Sequence, residues 1–529
     1  MMDGGHQVLE SPSSVHRLNT DCLTEIFYSI VRASEGDFDA LDAYTNLLSL
    51  THVCRVWRAL ALDLPELWGD IAFVSNKPDV FRTLLDRARD APLYLPPIFP
   101  SEEQANILFG SPERFRVLER AYHLQWDPAV LAGKYLPCLE SARLMVWSQH
   151  ERYHPELAPM ILPRIQKLVL RSFCIPFEAP NLRSLRITLR GQPINPEDLV
   201  SMLNSLPRLN TLRLGGCLPP SFVHNGRRIG PIYLPSLTMF RLRDGCAALT
   251  AFLEQLHPGN PDCGAHLTAR RWADTSHAEL GGLFQAMRRY LKTPSRDEMY
   301  MHLDPNKEPY IAAMRRVDST NTAALTVTDE GVGVDAINPA LERAASFSLD
   351  DRHVDLISIY ASFLDQLSPS QVRYLRTHRS WQAVETGFPS SQIAELFGKP
   401  QFTNSLQVVE HGIAFSDRDG QFSEARMSSL FPSVPTLWPQ LRKMTLSGDA
   451  CLYVLHTSQG ADALLSWLKA REGAGLHLPV LHLRAQAYTG GQFGTESAAQ
   501  LSAWSEIRAL VSVVDERKGG EEKQEECAA

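Results

Sequence analysis

The sequence predicts an α/β protein in which a small all-helical module is followed by an irregular, parallel-stranded solenoid. Between about residues 15 and 72, apolar residues recur at the spacing of short helices. From Leu136 onward a short motif with alternating hydrophobic residues returns several times, and segments with helical spacing separate its copies. The 529 residues are enough for about two to four domains or for one elongated array.

The segment HRLNTDCLTEIFYSIV is predicted to form an amphipathic helix. Its apolar stripe consists of Leu23, Ile26, Phe27, Ile30 and Val31. Asn19 is placed to cap the helix, because its side-chain oxygen can accept a hydrogen bond from an amide in the first turn. A second stripe consists of Leu47, Leu50, Cys54, Trp57 and Ala61, and its interruption near residues 51–52 leaves open one helix or two short ones. Pro65 ends the run.

The helical module has more apolar surface than one helix face can bury. Val53, Val56 and Leu60 lie beside the second stripe. A module of about 50 residues buries only a small fraction of its surface by itself. The residues alone leave two explanations open: a second protein covers the spare face, or the helices form a cap that packs only on their own chain.

The stretches LNTDCLTEIF and LLSLTHVCRVWRALALDLPELWGDI, joined by a spacer, resemble the F-box family in a form common in fungi. The matching residues are Leu18, Asp21, Leu23, Ile26, Phe27, Val53, Cys54, Trp57, Arg58, Pro65, Leu67 and Trp68, while Asn19 stands where the family usually has Pro. The resemblance implies that the module binds a Skp-type adaptor, which is itself bound to a cullin. The adaptor-binding residues it implies are Leu18, Leu23, Ile26, Val53, Cys54 and Trp57. Phe27, Leu60 and Trp68 are the alternative set, assigned to internal core.

A second feature is the recurring motif Leu-Pro-x-Leu-x-x-hydrophobic-x-hydrophobic. Its copies are LPCLESARL from Leu136, LPRIQKLVL from Leu162, APNLRSLRI from Ala179, LPRLNTLRL from Leu206, LPSLTMFRL from Leu234, WPQLRKMTL from Trp438 and a shortened LPVLHL from Leu478. The first five begin 17 to 28 residues apart, near the period of leucine-rich repeats. The end of each copy predicts a strand with one buried face, and such strand–helix units bury that face by stacking. An ordinary α/β domain is the alternative.

Basic residues recur on the predicted strands at positions that face away from the buried side. The central residues of the strands are Arg143, Val169, Arg186, Arg213, Arg241 and Thr445, and Lys167, Arg171 and Arg243 flank them. Neighbouring strands lie about 4.8 Å apart, so the arginines would form a row of like charge. Arg binds carboxylates and phosphates bidentately, which predicts a binding surface for an acidic or phosphorylated target. The alternative is that Arg only keeps an exposed strand hydrated.

No catalytic, cofactor or metal site is predicted. The chain has no phosphate-binding loop, nucleophile elbow or metalloprotease motif. GVGVDA from Gly331 matches a dinucleotide fingerprint only loosely, and the preceding Asp329 and Glu330 would repel a pyrophosphate, so a turn is favoured. The spacing of Cys246, His257, Cys263 and His266 fits no standard zinc site.

Composition and charge limit the classes of partner. The net charge of −8 and the pI of about 6.1 exclude a global cationic field that would gather nucleic acid or an anionic membrane. No signal peptide and no transmembrane run is predicted. The nine irregularly spaced cysteines indicate reduced thiols, so a cytoplasmic or nuclear location is expected.

The predicted organisation joins these features in chain order. It consists of a disordered N-terminus at 1–14, the F-box module at 15–72, a helical linker at 73–134, a leucine-rich-repeat-like region at 135–257, an irregular insertion at 258–345, a degenerate repeat-like region at 346–512 and a disordered tail at 513–529. The resemblance implies a substrate-recognition subunit of a Skp–cullin–F-box ubiquitin ligase that does no bond chemistry itself. The alternative is a scaffold that assembles or localises proteins without directing ubiquitination.

Overall fold

The structure is a computed structural model in which nineteen stretches of the chain are described. They are residues 18–32, 40–95, 101–118, 127–146, 152–189, 192–224, 227–270, 277–291, 298–302, 310–314, 345–350, 356–368, 371–380, 396–414, 438–448, 451, 454, 458–484 and 498–515. The GVGVDA segment and the predicted residues 1–14 lie outside these stretches. So does the predicted C-terminal tail, apart from residues 513–515.

Helices and strands alternate along most of the described chain. The α-helices are α1 (Thr20–Arg32), α2 (Ala40–Val53), α3 (Arg55–Leu62), α4 (Pro65–Ile71), α5 (Pro78–Ala88), α6 (Glu102–Gly110), α7 (Pro196–Asn204), α8 (Cys246–Gln255), α9 (His277–Leu291), α10 (Leu356–Leu364), α11 (Pro400–Thr403), α12 (Ser458–Gly473) and α13 (Ala498–Leu510). Two short 3-10 helices occupy Pro112–Arg114 and Pro128–Leu131.

The strands of the main sheet are three to seven residues long, which is within the usual range for globular proteins. They are β1 (Leu93–Leu95), β2 (Phe115–Leu118), β3 (Ser141–Met145), β6 (Lys167–Arg171), β9 (Ser184–Thr188), β10 (Thr211–Gly215), β14 (Met239–Gly245), β16 (Gly264–Arg270), β17 (Glu298–His302), β18 (Tyr310–Met314), β19 (Ala345–Asp350), β20 (Tyr374–Ser380), β21 (Val408–Ala414), β22 (Lys443–Gly448), β23 (Val480–Arg484) and β24 (Ser512–Asp515). Two-stranded pairs are formed by β4 (Arg152–Tyr153), β5 (Met160–Ile161), β7 (Phe173–Cys174), β8 (Phe177–Glu178), β11 (Val223–His224), β12 (Arg227–Arg228), β13 (Ile232–Leu234) and β15 (Leu256–Pro258).

The chain divides into two compact units. The first consists of residues 1–194 and 201–209, and the second of residues 195–200 and 210–529. In the first unit the strand order is β1-β2-β3-β6-β9, and each pair is parallel. In the second unit the order is β10-β14-β16-β19-β18-β17-β20-β21-β22-β23-β24, and it is parallel except where β18 pairs antiparallel with β19 and β17.

Each copy of the recurring motif forms a strand where the sequence predicts one. The copies correspond to β3, β6, β9, β10, β14, β22 and β23. Leu185 and Ile187 of β9 are fully buried while Arg186 between them is half-buried, which is the alternation expected of a strand with one covered face. The segments PEDLVSMLNS, CAALTAFLEQL and AELGGLFQAMRRYLK have the apolar spacing of helices and form α7, α8 and α9.

The local predictions for the N-terminal helices are also confirmed. The Asn19 side chain accepts a hydrogen bond from the backbone N–H of Cys22 at 2.8 Å, so it caps α1. The second apolar stripe is two helices, and the break falls at Cys54. Pro65 begins α4 at its first turn, where proline has no amide to lose.

The first helices share a core with the first strands. In α4, Leu67 through Ile71 are all buried, and this helix packs against β1. The Asp70 carboxylate, only 2% exposed, accepts hydrogen bonds from Arg32 of α1 at 2.9 Å and from Arg116 of β2. The N-terminal helices are therefore fastened to the sheet by a buried ion pair as well as by apolar packing.

The predicted architecture is therefore wrong, although the α/β class is present. No small all-helical F-box module followed by a leucine-rich-repeat-like solenoid is seen in the described chain; a large, mostly parallel sheet with helices takes its place. The physical reason lies in α4, because its buried residues pack on β1 and Asp70 pairs with Arg116. Helices that share a core with strands belong to the same compact unit.

Gly69→Ala should destabilise the first unit by about 1–3 kcal/mol, the usual cost of overpacking. A Cβ at Gly69 would collide with the backbone carbonyl of Pro92, which precedes β1 and cannot move as a flexible side chain would. Gly281→Ala is the matched control. A Cβ there meets nothing within 4 Å in α9, so alanine should stabilise by up to about 1 kcal/mol through helix propensity. Urea unfolding of both variants checks the prediction, and equal stabilities would contradict it.

Candidate functional site

Large apolar side chains are exposed on the first three helices and just before the first of them. Val53 at the end of α2 is 57% exposed and Val56 in α3 is 62% exposed. Leu18, Leu41 and Leu62 are also exposed. We call Val53 and Val56 the valine pair. Valine has no polar atom that water could satisfy, so two exposed valines on either side of one turn favour contact with another apolar surface.

The turn between α2 and α3 fixes the valine pair in place. Cys54 is extended, with φ of −158° and ψ of 173°, and its sulfur accepts a hydrogen bond from the Trp57 backbone N–H at 3.5 Å. The Arg58 Nε donates to the carbonyl of Thr51 at 2.9 Å, which satisfies a carbonyl of the last turn of α2. The turn therefore has hydrogen bonds on both sides and does not depend on a partner for its shape.

Beneath the exposed residues lies a compact helical core. Phe27 of α1 is fully buried, and its ring meets the half-buried ring of Trp57 edge-on at 5.2 Å. Leu47 and Leu50 of α2 are buried as well. Trp68 is fully buried, and its indole N–H donates to the Ala61 carbonyl at 2.7 Å. Exposed valines above a well-packed core indicate a surface that is ordered before any partner binds.

The six residues implied for adaptor binding are not equally accessible. Leu18 and Val53 are exposed, and Ile26, Cys54 and Trp57 are half-buried. Leu23 is only 6% exposed, so its side chain belongs to the internal packing of α1. In the alternative set, Phe27 and Trp68 are fully buried and Leu60 is half-buried.

Polar contacts connect α1 to α4 beside this core. The Tyr28 hydroxyl donates to the Glu66 carboxylate at 3.1 Å, and Arg32 pairs with Asp70. Burial and then the negative charge of Glu66 raise the pKa of Tyr28, so its hydroxyl remains a donor at neutral pH. Burial also raises the pKa of Asp70, and the charges of Arg116 and Arg32 oppose that rise.

In the first unit, the predicted row of basic residues has the register that the motif implies. Arg143 of β3 lies opposite Val169 of β6, and Val169 lies opposite Arg186 of β9. Lys167 and Arg171 are at the two ends of β6 and share the face of Val169. Arg143 and Arg186 are thus two strand spacings apart, with an apolar residue between their charges.

In the second unit, the row is continuous. Arg213 of β10 lies directly opposite Arg241 of β14, which lies opposite His266 of β16. Arg243 is two residues beyond Arg241 on the same face and is exposed. The guanidinium groups of Arg213 and Arg241 therefore occupy the same register position on neighbouring strands.

Sequence reasoning did not single out Val56, Leu41 and Leu62 as exposed. In the sequence, Val56 lies only beside the second apolar stripe. Its position one helical turn before Leu60, on the flank of the stripe, was the available signal. Burial of residues beside the stripe depends on contacts with distant parts of the chain, and a local sequence pattern does not predict those contacts.

The metal-ligating residue types do not cluster in the described part of the chain. No group of three or more His, Cys, Asp or Glu there could hold a metal ion. Cys246 begins α8 and Cys263 precedes β16, and both are buried thiols. Burial raises the pKa of another thiol, Cys174, to about 12, so that sulfur is neutral at ordinary pH.

Two further observations bear on the class of protein. Among the described residues, no helix is both long enough and apolar enough to span a membrane. Comparison with known proteins adds no family and no curated relative: a scan against models of known families gives no match for the chain, and a search of curated proteins gives none either.

Proposed function

We propose that the protein is a substrate-recognition subunit of a cullin–RING ubiquitin ligase. In this proposal the first helices bind a Skp-type adaptor, and the basic rows of the sheet bind an acidic or phosphorylated target protein. The protein does no bond chemistry and needs no cofactor. It raises the effective concentration of the target near the ubiquitin-charged enzyme.

The observation that carries the proposal is the exposed valine pair on an already packed helical core. These valines lie in the VCRVW stretch, where the sequence resembles the F-box family most specifically. Burying one valine side chain contributes about 1.5–3 kcal/mol, so a pair can supply the central part of an interface. The half-buried Trp57 next to it adds the aromatic residue type that is enriched at such centres.

Reconstitution tests this function directly. The purified protein, a Skp-type adaptor, a cullin–RING core and ubiquitin enzymes are combined with proteins that the complex captures from cells. The proposal expects a stoichiometric complex with the adaptor, and ubiquitin transfer to a captured protein that depends on this chain. Adaptor binding without any transfer would instead favour the scaffold alternative, and a failure to bind the adaptor would overturn the ligase proposal.

Charge reversal on the sheet should weaken target binding. In Arg186→Glu with Arg213→Glu, two repelling carboxylates replace two guanidinium groups, so capture of an acidic target should fall by about tenfold at low salt. The loss should be smaller at high salt, because both arginines are partly open to solvent and salt screens their charges. Quantitative pull-down at two salt concentrations measures the effect. Arg227→Glu, on exposed β12, is the control, and equal capture by the double variant and this control would contradict the prediction.

A further inference from the structure

A second basic feature lies where β3, β6 and β9 of the first unit begin. It is an open pocket of about 390 Å³, and its lining consists of Glu140, Arg164, Gln166, Asn181, Arg183 and Arg208. We call it the arginine pocket. None of these residues belongs to the basic rows on the sheet face.

The recurring motif explains why these six residues meet. Each occupies one of the two variable positions on either side of the second leucine, or its equivalent, in copies starting at 136, 162, 179 and 206. That central apolar position is held by Leu139, Ile165, Leu182 and Leu209, which are all buried. The variable side chains are therefore left at the surface, just before the strands begin.

Backbone hydrogen bonds hold three of the variable positions side by side. The Gln166 N–H donates to the carbonyl of Glu140 at 2.7 Å, and the Arg183 N–H donates to the carbonyl of Gln166 at 2.8 Å. Arg208 is positioned by its side chain, which donates to the Asn181 amide oxygen at 2.6 Å. The Asn181 amide in turn donates to the Pro163 carbonyl at 2.7 Å. Backbone hydrogen bonds between neighbouring motif copies and the hydrogen-bonded Asn181 amide thus hold the lining of the pocket in place.

The charge of the lining identifies the class of ligand. Three guanidinium groups and one carboxylate give the pocket a net charge of about +2. A phosphate monoester carries nearly two negative charges at pH 7 and has three oxygens that accept hydrogen bonds. A carboxylate carries one charge and two oxygens, so a single arginine satisfies it. The volume holds a phosphate group together with part of the group that it esterifies.

We propose that the arginine pocket binds a phosphate monoester dianion. Arg164, Arg183 and Arg208 donate to the phosphate oxygens, and the Asn181 amide keeps Arg208 in place. The phosphate belongs either to a small metabolite or to a phosphorylated side chain of a peptide. This inference does not depend on adaptor binding.

Isothermal titration calorimetry on the full chain at constant ionic strength tests the proposal. The probes are inorganic phosphate, a short phosphoserine peptide and the same peptide without phosphate. We expect saturable binding of both phosphate probes and none of the unmodified peptide. A peptide that binds at least tenfold more tightly than inorganic phosphate assigns the site to a phosphorylated side chain, and equal affinities assign it to a small metabolite. No saturable binding of either phosphate probe would overturn the proposal.

Variants of exposed residues make the test specific to the pocket. Arg164→Ala with Arg183→Ala should lower phosphate affinity at least tenfold, while Glu140→Gln, which removes the one negative charge, should raise it several-fold. Arg227→Ala removes an exposed arginine outside the pocket and should change nothing. All four replaced residues are exposed, so thermal unfolding should be unaffected. Unchanged affinity in the double variant would overturn the assignment.

Discussion

Val53→Asp combined with Val56→Asp should lower the affinity for a Skp-type adaptor by at least about 100-fold and leave the fold intact. Replacing each valine removes the binding free energy of about 1.5–3 kcal/mol that burial of its side chain contributes in the complex. Each new carboxylate would also be removed from water in the complex with no opposite charge beside it, and this desolvation further weakens binding. A loss of about 3 kcal/mol or more corresponds to the expected change in dissociation constant. Both side chains are more than half exposed in the free chain, so its unfolding should be little affected.

Surface plasmon resonance against immobilised adaptor measures this effect. The matched control is Val223→Asp with Val514→Asp, which replaces two exposed valines of the second unit with the same charge. The control should bind like the wild type. If the two double variants bind equally well, the valine pair is not part of the docking surface.

Asp70→Ala should have the second largest effect, a loss of about 3 kcal/mol in the free energy of unfolding. Removing the carboxylate leaves the guanidinium groups of Arg32 and Arg116 without their shared partner. Breaking a buried ion pair costs about 3–5 kcal/mol, and the lower end applies because both arginines keep some solvent access. Urea unfolding measures the loss. Asp462→Ala, at an exposed residue of α12, should cost far less, and a comparable loss there would contradict the prediction.

Asp70→Asn separates the shape of the side chain from its charge. Because burial raises the pKa of Asp70, the folded state binds the proton more tightly than the unfolded state does. This contribution to stability is fully present below the ordinary carboxyl pKa and is lost as the pH rises through the raised value. We therefore expect the unfolding free energy of the wild type, relative to Asp70→Asn, to decrease as the pH rises across that window. An increase would show that the arginines outweigh burial.

The strands could be predicted from the sequence because the recurring motif fixes their phase. In each copy, a hydrophobic residue stands on each side of a central position, so buried and exposed side chains alternate along the strand. The repeated Pro-x-Leu places every copy in the same register. That is why Arg213 and Arg241 lie opposite each other as expected. The cap at Asn19 was equally local, since it depends on residues three apart.

The architecture could not be predicted, because it depends on contacts between distant residues. Arg116 and Asp70 are 46 positions apart, and neither has a neighbour in sequence that reveals the pair. The close approach of Gly69 to Pro92 likewise has no local pattern. The same limit applies to the site: Leu23 and Val53 look alike as members of helical stripes, and only the packed helices show that one is covered and the other is open.

In the second unit, β18 and β17 lie between β19 and β20 in the sheet, and this insertion has a consequence for the order of folding. Through β20, β21, β22, β23 and β24 each strand pairs with the next strand in the chain, and the first paired residues are 32 to 37 positions apart. The parallel partner of β16 is β19, and Ala265 pairs with Ala345. Joining residues that far apart requires more chain entropy to be given up before any contact compensates for it. The strands from β20 to β24 can therefore be added one after another in chain order. The pairing of β16 with β19 forms only after the long connection between them has closed.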